Sequence, residues 1–206
     1  MSQDRLNICT VTLGADALIV NENLIEFNRL YKDIKLYIVC PKKDEYLFVE
    51  ALEDKNYEII TEEKFISFDD FKNIFQELSI NLSYKDQFES RLQWYYALFL
   101  KFFFIHKFFE NDESKLVIWE GDSVILKKIK FFHNDTSLLY VWVNYFHHIF
   151  YKTCNEVLGI LPKYYGSFIT MFGSLTRSEF MYLNNSLGLE KLTNKDFCRS
   201  FSRKVL

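Results

Sequence analysis

Within the first sixty residues, β-branched apolar runs alternate with stretches of helical apolar spacing. This alternation leaves the chain few architectures. Leu6 to Leu13 (LNICTVTL) reads as a strand ending at Gly14. Asp16 to Tyr31 sets Leu18, Ile19, Leu24, Ile25, Phe27 and Leu30 at helical spacing. Lys35 to Cys40 is a second strand, closed by Pro41. Asp44 to Leu52 is a second helix, with Tyr46, Leu47, Val49 and Ala51 near its buried side, and Tyr57 to Ile60 is a third strand. Strand, helix, strand, helix, strand implies parallel strands joined by right-handed crossovers. The expected fold class is α/β: a mostly parallel central sheet flanked by helices.

Further along, Asp69 to Leu82 reads as a helix with Asp69 or Ser67 as its cap. Lys85 to Phe109 is the strongest helix. Phe88, Leu92, Tyr95, Tyr96, Phe99, Phe102 and Phe103 recur in it at threes and fours. The polar loop Glu110–Glu113 separates it from a strand at Lys115–Trp119. Ile129 to Phe132 is extended, His133-Asn134-Asp135 is a turn, and Leu138 to Val143 is a strand. Tyr145 to Leu158 reads as a helix, and Pro162 to Thr170 as a loop entering a short strand. Ser174 to Gly188 reads as a helix capped by Thr176 or Ser174, with Glu179 in range for a capping box and Gly188 as its stop. Thr193 to Leu206 is polar and basic without a clear period. No repeat or internal boundary divides the chain, so residues 1–206 are expected to form one domain.

A chain of 206 residues can bury a sizeable core. Its 22 phenylalanines and 13 tyrosines fit either a compositional bias or an aromatic binding surface. The net charge of -3 gives no global reason to expect nucleic acid. Cys9, Cys40, Cys154 and Cys198 contain no C-x-x-C pair, which argues against zinc. Cys9 and Cys40 lie in apolar runs, as free cysteines of a reducing cytosol do. The N-terminus carries no signal-peptide pattern. The most apolar stretch, Tyr95 to Phe109, is interrupted by Lys101, His106 and Lys107, too short and charged to span a bilayer. The location expected is cytoplasmic, with peripheral contact to the inner face of a membrane left open.

Chemistry concentrates in Lys115–Lys127. The apolar run Leu116–Trp119 stops at Glu120-Gly121-Asp122, and a second apolar run, Val124–Leu126, follows. Two carboxylates one residue apart at a strand end can share a hard divalent cation such as Mg2+ or Mn2+. Gly121 lets a ligand approach the backbone closely. The alternative is a polar hairpin turn between two strands. Thr10 and Thr12 end the first strand, the side on which open α/β sheets bind ligands; the alternative there is two β-formers in a strand. Trp94 and Trp119 can stack on a base or sugar, although aromatics at such spacings usually belong to the core. Adjacent His147 and His148 face different ways on a helix and do not suggest a metal pair, and His133 reads as a turn residue.

Three pieces of the chain resemble bacterial glycosyltransferase-like proteins of the GT-A fold, a family described as a domain of unknown function. The first is Ile8-Cys9-Thr10-Val11-Thr12 together with Tyr37-Ile38-Val39-Cys40-Pro41, similar to the first two strands of the nucleotide-sugar half. The second is Arg91 to Lys101, similar to an R-x-x-W-Y-x-x-x-x-L-K helix. The third is Ile118 to Val124, similar to a W-D-x-D-[ST]-V stretch; Ser167 to Thr170 also resembles an acceptor-side segment. There are departures. Glu120 stands where the family has aspartate, Met171-Phe172-Gly173-Ser174 occupies the place of an expected metal-ligating histidine, and the chain stops before the last acceptor-side elements.

The resemblance implies a nucleotide-sugar donor and a glycan or lipid-linked acceptor, as in surface-polysaccharide assembly. It implies a divalent cation (Mn2+ or Mg2+) held by Asp122, with Glu120 direct or through water. A nucleotide-sugar site of Thr10, Thr12, Arg91, Trp94, Lys101 and Asp122 follows. Arg91 and Lys101 are ten residues apart, so they point about 80° from one another on a helix. One is therefore expected on the diphosphate and the other on a carboxylate. Because Glu120 departs from the pattern, a non-catalytic GT-A-like binding or scaffold protein is the competing class. The residues do not indicate the donor sugar, the anomeric outcome or the oligomeric state.

Overall fold

The computed structural model describes residues 5–79, 90–112, 114–138, 140, 172–187 and 193–205. The alternation of the first sixty residues becomes β1 (Leu6–Val11), α1 (Ala17–Leu30), β2 (Ile34–Cys40), α2 (Glu45–Ala51) and β3 (Tyr57–Thr61). Then come α3 (Phe68–Ser79), α4 (Leu92–Asn111), β4 (Leu116–Trp119), β5 (Phe132–His133) and β6 (Thr136–Ser137). Among the described residues, β7 (Phe172–Leu175), α5 (Arg177–Leu187) and α6 (Asn194–Val205) complete the fold.

Five strands form one sheet in the order β3-β2-β1-β4-β7. β1 pairs in parallel with β2, from Leu6 opposite Ile34 to Val11 opposite Val39, and in parallel with β4. β2 and β3 are also parallel, and only β7 runs antiparallel, along β4. The sheet is buried on both sides, which explains the near-continuous apolar runs of β1, β2 and β4. Ile8, Leu36, Ile38, Val117 and Trp119 face α1 and α2, where they meet Leu24, Phe27 and Phe48. Cys9, Val39, Leu116 and Ile118 face α3, α4, α5 and α6, where they meet Phe71, Phe99, Phe103, Phe180 and Phe197. Many phenylalanines are thus core, with Phe71, Phe75, Phe99, Phe103, Phe109, Phe180 and Phe197 all below 2% exposure.

Some sequence expectations are corrected. Val124–Leu126 is not a strand: Leu126 is 82% exposed, and only Ile125 is buried. The segment is pinned instead by Asn23, which donates from Nδ2 to the Ser123 carbonyl (2.6 Å) and accepts from Ile125 N–H (2.9 Å). In α2 the buried residue is Phe48, while Tyr46 and Val49 point to solvent. Ser67 caps α3, its Oγ accepting from Asp70 N–H at 3.1 Å. Described residues of the long helix begin at Leu92, after a turn at Ser90–Arg91. Phe172-Gly173-Ser174 belongs to β7, with Phe172 stacked on Trp119 at 5.5 Å. Thr193–Leu206, read as aperiodic, holds α6. Its few apolar side chains, Phe197 and Cys198 among them, give too little signal against a polar background, yet both are fully buried. The expected helix at Tyr145–Leu158, the segment Pro162–Thr170, most of Leu138–Val143, His147, His148 and Cys154 lie outside the described residues.

Candidate functional site at the carboxyl edge of the sheet

The chain leaves β1 toward β2 and β3 on one side and later places β4 on the other. The crevice beyond the carboxyl ends of β1 and β4 is therefore the topological switch point, where open α/β sheets bind ligands. Thr12 emerges from β1 there, and Glu120-Gly121-Asp122 from β4.

The β4 exit is a turn closed by Ser123 N–H on the Glu120 carbonyl (3.2 Å) and held by Trp119 Nε1 on the Ser123 carbonyl (2.9 Å). No strand follows, so it is a turn but not a hairpin. Gly121 is needed for close approach. A Cβ there would lie 2.5 Å from Thr12 Oγ1, 2.7 Å from Thr12 Cβ and 3.0 Å from Thr10 Oγ1. Thr10 is thus covered by the turn, 2% exposed, its hydroxyl without a hydrogen-bond partner. Thr12 Oγ1 donates to Asp16 Oδ2 at 2.7 Å. Lys101, on α4, places its Nζ 2.6 and 2.7 Å from the two Glu120 oxygens. The pair is only partly screened, with Lys101 18% and Glu120 39% exposed. Asp122 is exposed, and its Oδ1 accepts from Ser123 Oγ at 3.3 Å.

Beside this turn lies a pocket of about 360 Å³ at the ends of β1, β2 and β3. Thr12, Pro41, Lys43 and Glu62 come from the strand ends, and Tyr96 and Leu100 from α4 roof it. Apolar walls with a few polar groups suit a flat heterocycle and its sugar. Tyr96 donates its phenol proton to the Ile66 carbonyl at 2.8 Å. Burial, reinforced by Glu63 and Asp44, pushes the Glu62 carboxyl up to about 7. Burial likewise pushes the Cys40 thiol up to about 12 and Cys9 well above its usual range, so neither supplies a thiolate.

The sequence placed six residues in one donor site. Thr10, Thr12, Lys101 and Asp122 do meet, with Glu120, at the β1–β4 crevice. Arg91 and Trp94 do not. Arg91, at the N-cap of α4, and Trp94, in its first turn, lie about 15 Å and about 10 Å along the helix from Lys101, in an adjoining cleft with Phe68, Lys72 and Gln76. Ten residues of helix are simply too long to bring both cations to one diphosphate. Lys43, Glu62 and Tyr96 were not read from the sequence. The available signal was position: each strand end of a parallel sheet faces the ligand side, and Glu62 directly follows β3.

Two carboxylates on one loop give hard oxygen ligands. Their oxygens keep lone pairs beyond those used by Lys101 and Ser123. Together they suit a Mg2+ or Mn2+ that takes its other ligands from phosphate and water. Among the described residues no group of three His, Cys, Asp or Glu side chains could hold such an ion by itself. No described helix is long and apolar enough to cross a membrane.

No family model and no curated protein matches this sequence. Solved structures similar in fold include two glycosyltransferases. One is a galactosyltransferase, LgtC, in complex with donor and acceptor sugar analogues, at 8% identity and a TM-score of 0.48, covering 94% of this chain and 69% of that one. The other is mouse xyloside xylosyltransferase 1 in its apo form, at 12% identity and a TM-score of 0.45, covering 97% of this chain and 82% of that one. Similarity this remote assigns neither donor nor acceptor.

Proposed function

We propose that this protein is a glycosyltransferase that binds a nucleotide sugar at the carboxyl edge of the sheet and transfers the sugar to a glycan or lipid-linked acceptor. The observation that carries this reading is one juxtaposition. A half-open pocket of nucleoside size adjoins, through Thr12, a turn bearing two carboxylates, one of them held by Lys101 of α4, at the switch point. The base and ribose lie in the pocket, and the diphosphate lies along Thr12 and Gly121. Lys101 meets the charge that builds on the leaving diphosphate as the glycosidic bond to it breaks. Glu120 orients Lys101 and shares its charge. Asp122, with Glu120, would hold the divalent cation, which supplies further positive charge to the leaving group.

A second reading has its own observation. Lys101 already engages both Glu120 oxygens, which leaves Asp122 as the one carboxylate of the turn free of a cation. A chain so arranged can bind nucleotide sugar without transferring it. Calorimetry with UDP-glucose and GDP-mannose, with and without Mn2+, separates both readings from an unrelated function, and donor hydrolysis separates them from each other. If the site is catalytic, Asp122→Asn abolishes hydrolysis and weakens Mn2+-dependent binding while the unfolding midpoint stays put. A wild-type chain that binds no nucleotide sugar with or without metal would leave neither reading standing.

A further inference from the structure

The carboxylates that would hold a divalent cation already have a competitor for one of them. Lys101 sets its Nζ 2.6 and 2.7 Å from the two Glu120 oxygens, as short as charge-assisted hydrogen bonds become. Its side chain is only 18% exposed, and among the described residues its ammonium bonds to no group but Glu120. An ammonium and a divalent cation seek the same lone pairs on that carboxylate, and their like charges repel at such distances. Asp122 is exposed and accepts from Ser123 Oγ at 3.3 Å. Alone it would hold a hard cation weakly, because such ions need several oxygens.

The surroundings decide which partner gives way. Gly121 packs against Thr12 and Thr10 so closely that a Cβ would lie 2.5 Å from Thr12 Oγ1. The turn that carries Glu120 therefore has no room to sink, and the adaptable partner is Lys101, on its flexible four-carbon stem. Lys101 stands one turn beyond Ala97 on the face of α4 from which Gln93, Tyr96, Ala97 and Leu100 line the nucleoside pocket. A diphosphate running from that pocket to the acidic turn passes the ammonium. We infer that Lys101 is a lock on the cation site: without nucleotide it holds Glu120, and it releases Glu120 when a diphosphate takes its charge. Nucleotide and divalent cation then bind with positive coupling, each strengthening the other by the same factor. The inference rests on the donor reading above and deepens it by naming how the site is regulated.

The test uses the full chain, with Mn2+ binding followed by electron paramagnetic resonance. Lys101→Met keeps the apolar stem and removes the charge. Without nucleotide it is expected to bind Mn2+ about tenfold or more tighter than wild type. In a Glu120→Gln background the same change is expected to leave Mn2+ binding unaltered, since the gain comes from freeing Glu120. Calorimetry with UDP-glucose is expected to show Mn2+ tightening nucleotide binding by a larger factor in wild type than in Lys101→Met. The Mn2+ complex that the nucleotide forms in solution is common to both chains and cancels. Lys101→Gln takes the place of Lys101→Met should the latter unfold. Equal Mn2+ affinity of Lys101→Met and wild type overturns the lock. So does a gain of the same size in the Glu120→Gln background, which marks a general effect of charge. If UDP-glucose binds but Mn2+ binds neither chain with or without it, the lock falls while the donor reading stands. Failure of UDP-glucose to bind wild type in any condition overturns the donor reading, and the lock with it.

Discussion

Gly121 shows how one side chain, by its absence, sets the geometry of this site. The β4 turn rests directly on Thr10 and Thr12, and a methyl group at Gly121 would meet Thr12 Cβ, which is fixed to the strand, at 2.7 Å. Gly121→Ala must therefore push the turn outward. Overpacking of this kind costs about 1–3 kcal/mol, and the displaced carboxylates should lose metal and nucleotide together. Denaturant unfolding alongside UDP-glucose calorimetry checks both effects. A substitution that left stability and binding unchanged would contradict the close packing. Glu62 gives a second prediction at this scale. Its folded-state pKa is raised, so the unfolded chain releases the proton first, and stability falls as pH rises from about 4.3 through about 7. Glu62→Gln removes that slope. Its unfolding midpoint should exceed wild type by more at pH 8 than at pH 5.

At the scale of elements, α5 is the clearest case of a helix whose start is written locally. Thr176 Oγ1 accepts from Glu179 N–H (3.4 Å), and Glu179 Oε2 accepts from Thr176 N–H (2.8 Å), the reciprocal pair of a capping box. The same carboxylate also accepts from the Ser137 backbone at 3.0 Å and from its hydroxyl, which ties the β5–β6 hairpin to the helix start. Burial pushes the Glu179 carboxyl up, but the bonds from Ser137 and Thr176 together outweigh it and hold the carboxyl below its usual range. Glu179→Ala should cost about 1–2 kcal/mol near neutral pH. Since the folded state holds the ionised form, that difference should shrink as pH falls through the acid range. Urea unfolding at pH 7 and pH 4 measures it, and an equal cost at both values would contradict the sign.

For the whole molecule, the decisive layer is the aromatic one beneath α4, α5 and α6. His106 is buried in it, 4.8 Å from the Phe197 ring and 6.0 Å from Phe180. Its Nε2 is 3.2 Å from Glu110 Oε1 but poorly directed for a hydrogen bond. Burial lowers its proton affinity; Glu110 opposes that and Lys107 adds to it. The unfolded chain therefore takes up the proton first, and stability is lost as pH falls below about 6.5. His106→Phe should flatten the difference between pH 7.5 and pH 5 in chemical denaturation; an unchanged slope would show that the histidine is not the group responsible. In the same layer, Phe99→Ala should cost about 3–5 kcal/mol, because a fully buried ring leaves a cavity in a close-packed core.

Strand and helix order was legible in the sequence because it depends on local pattern. Buried parallel strands need β-branched runs, and Leu6–Val11, Ile34–Cys40 and Leu116–Trp119 have them. The rule that ligands sit beyond the carboxyl ends of such strands brought Thr12, Glu120 and Asp122 to one place before any contact was known. Contacts were not legible. Helical spacing put Leu18 and Ile25 on a buried face, yet Leu18 is 73% exposed, because what a helix buries depends on what packs against it. The amphipathic α6 was missed because a few apolar side chains carry little signal until another layer covers them. Lys101 faces Glu120, and Arg91 and Trp94 face away, because a rigid helix of 20 residues carries its two ends to different parts of the sheet edge. Glu62 was one acid among 28 until three strand ends and α4 enclosed it. Its raised pKa comes from desolvation and from the Glu63 and Asp44 carboxylates, surroundings that only the tertiary structure brings together.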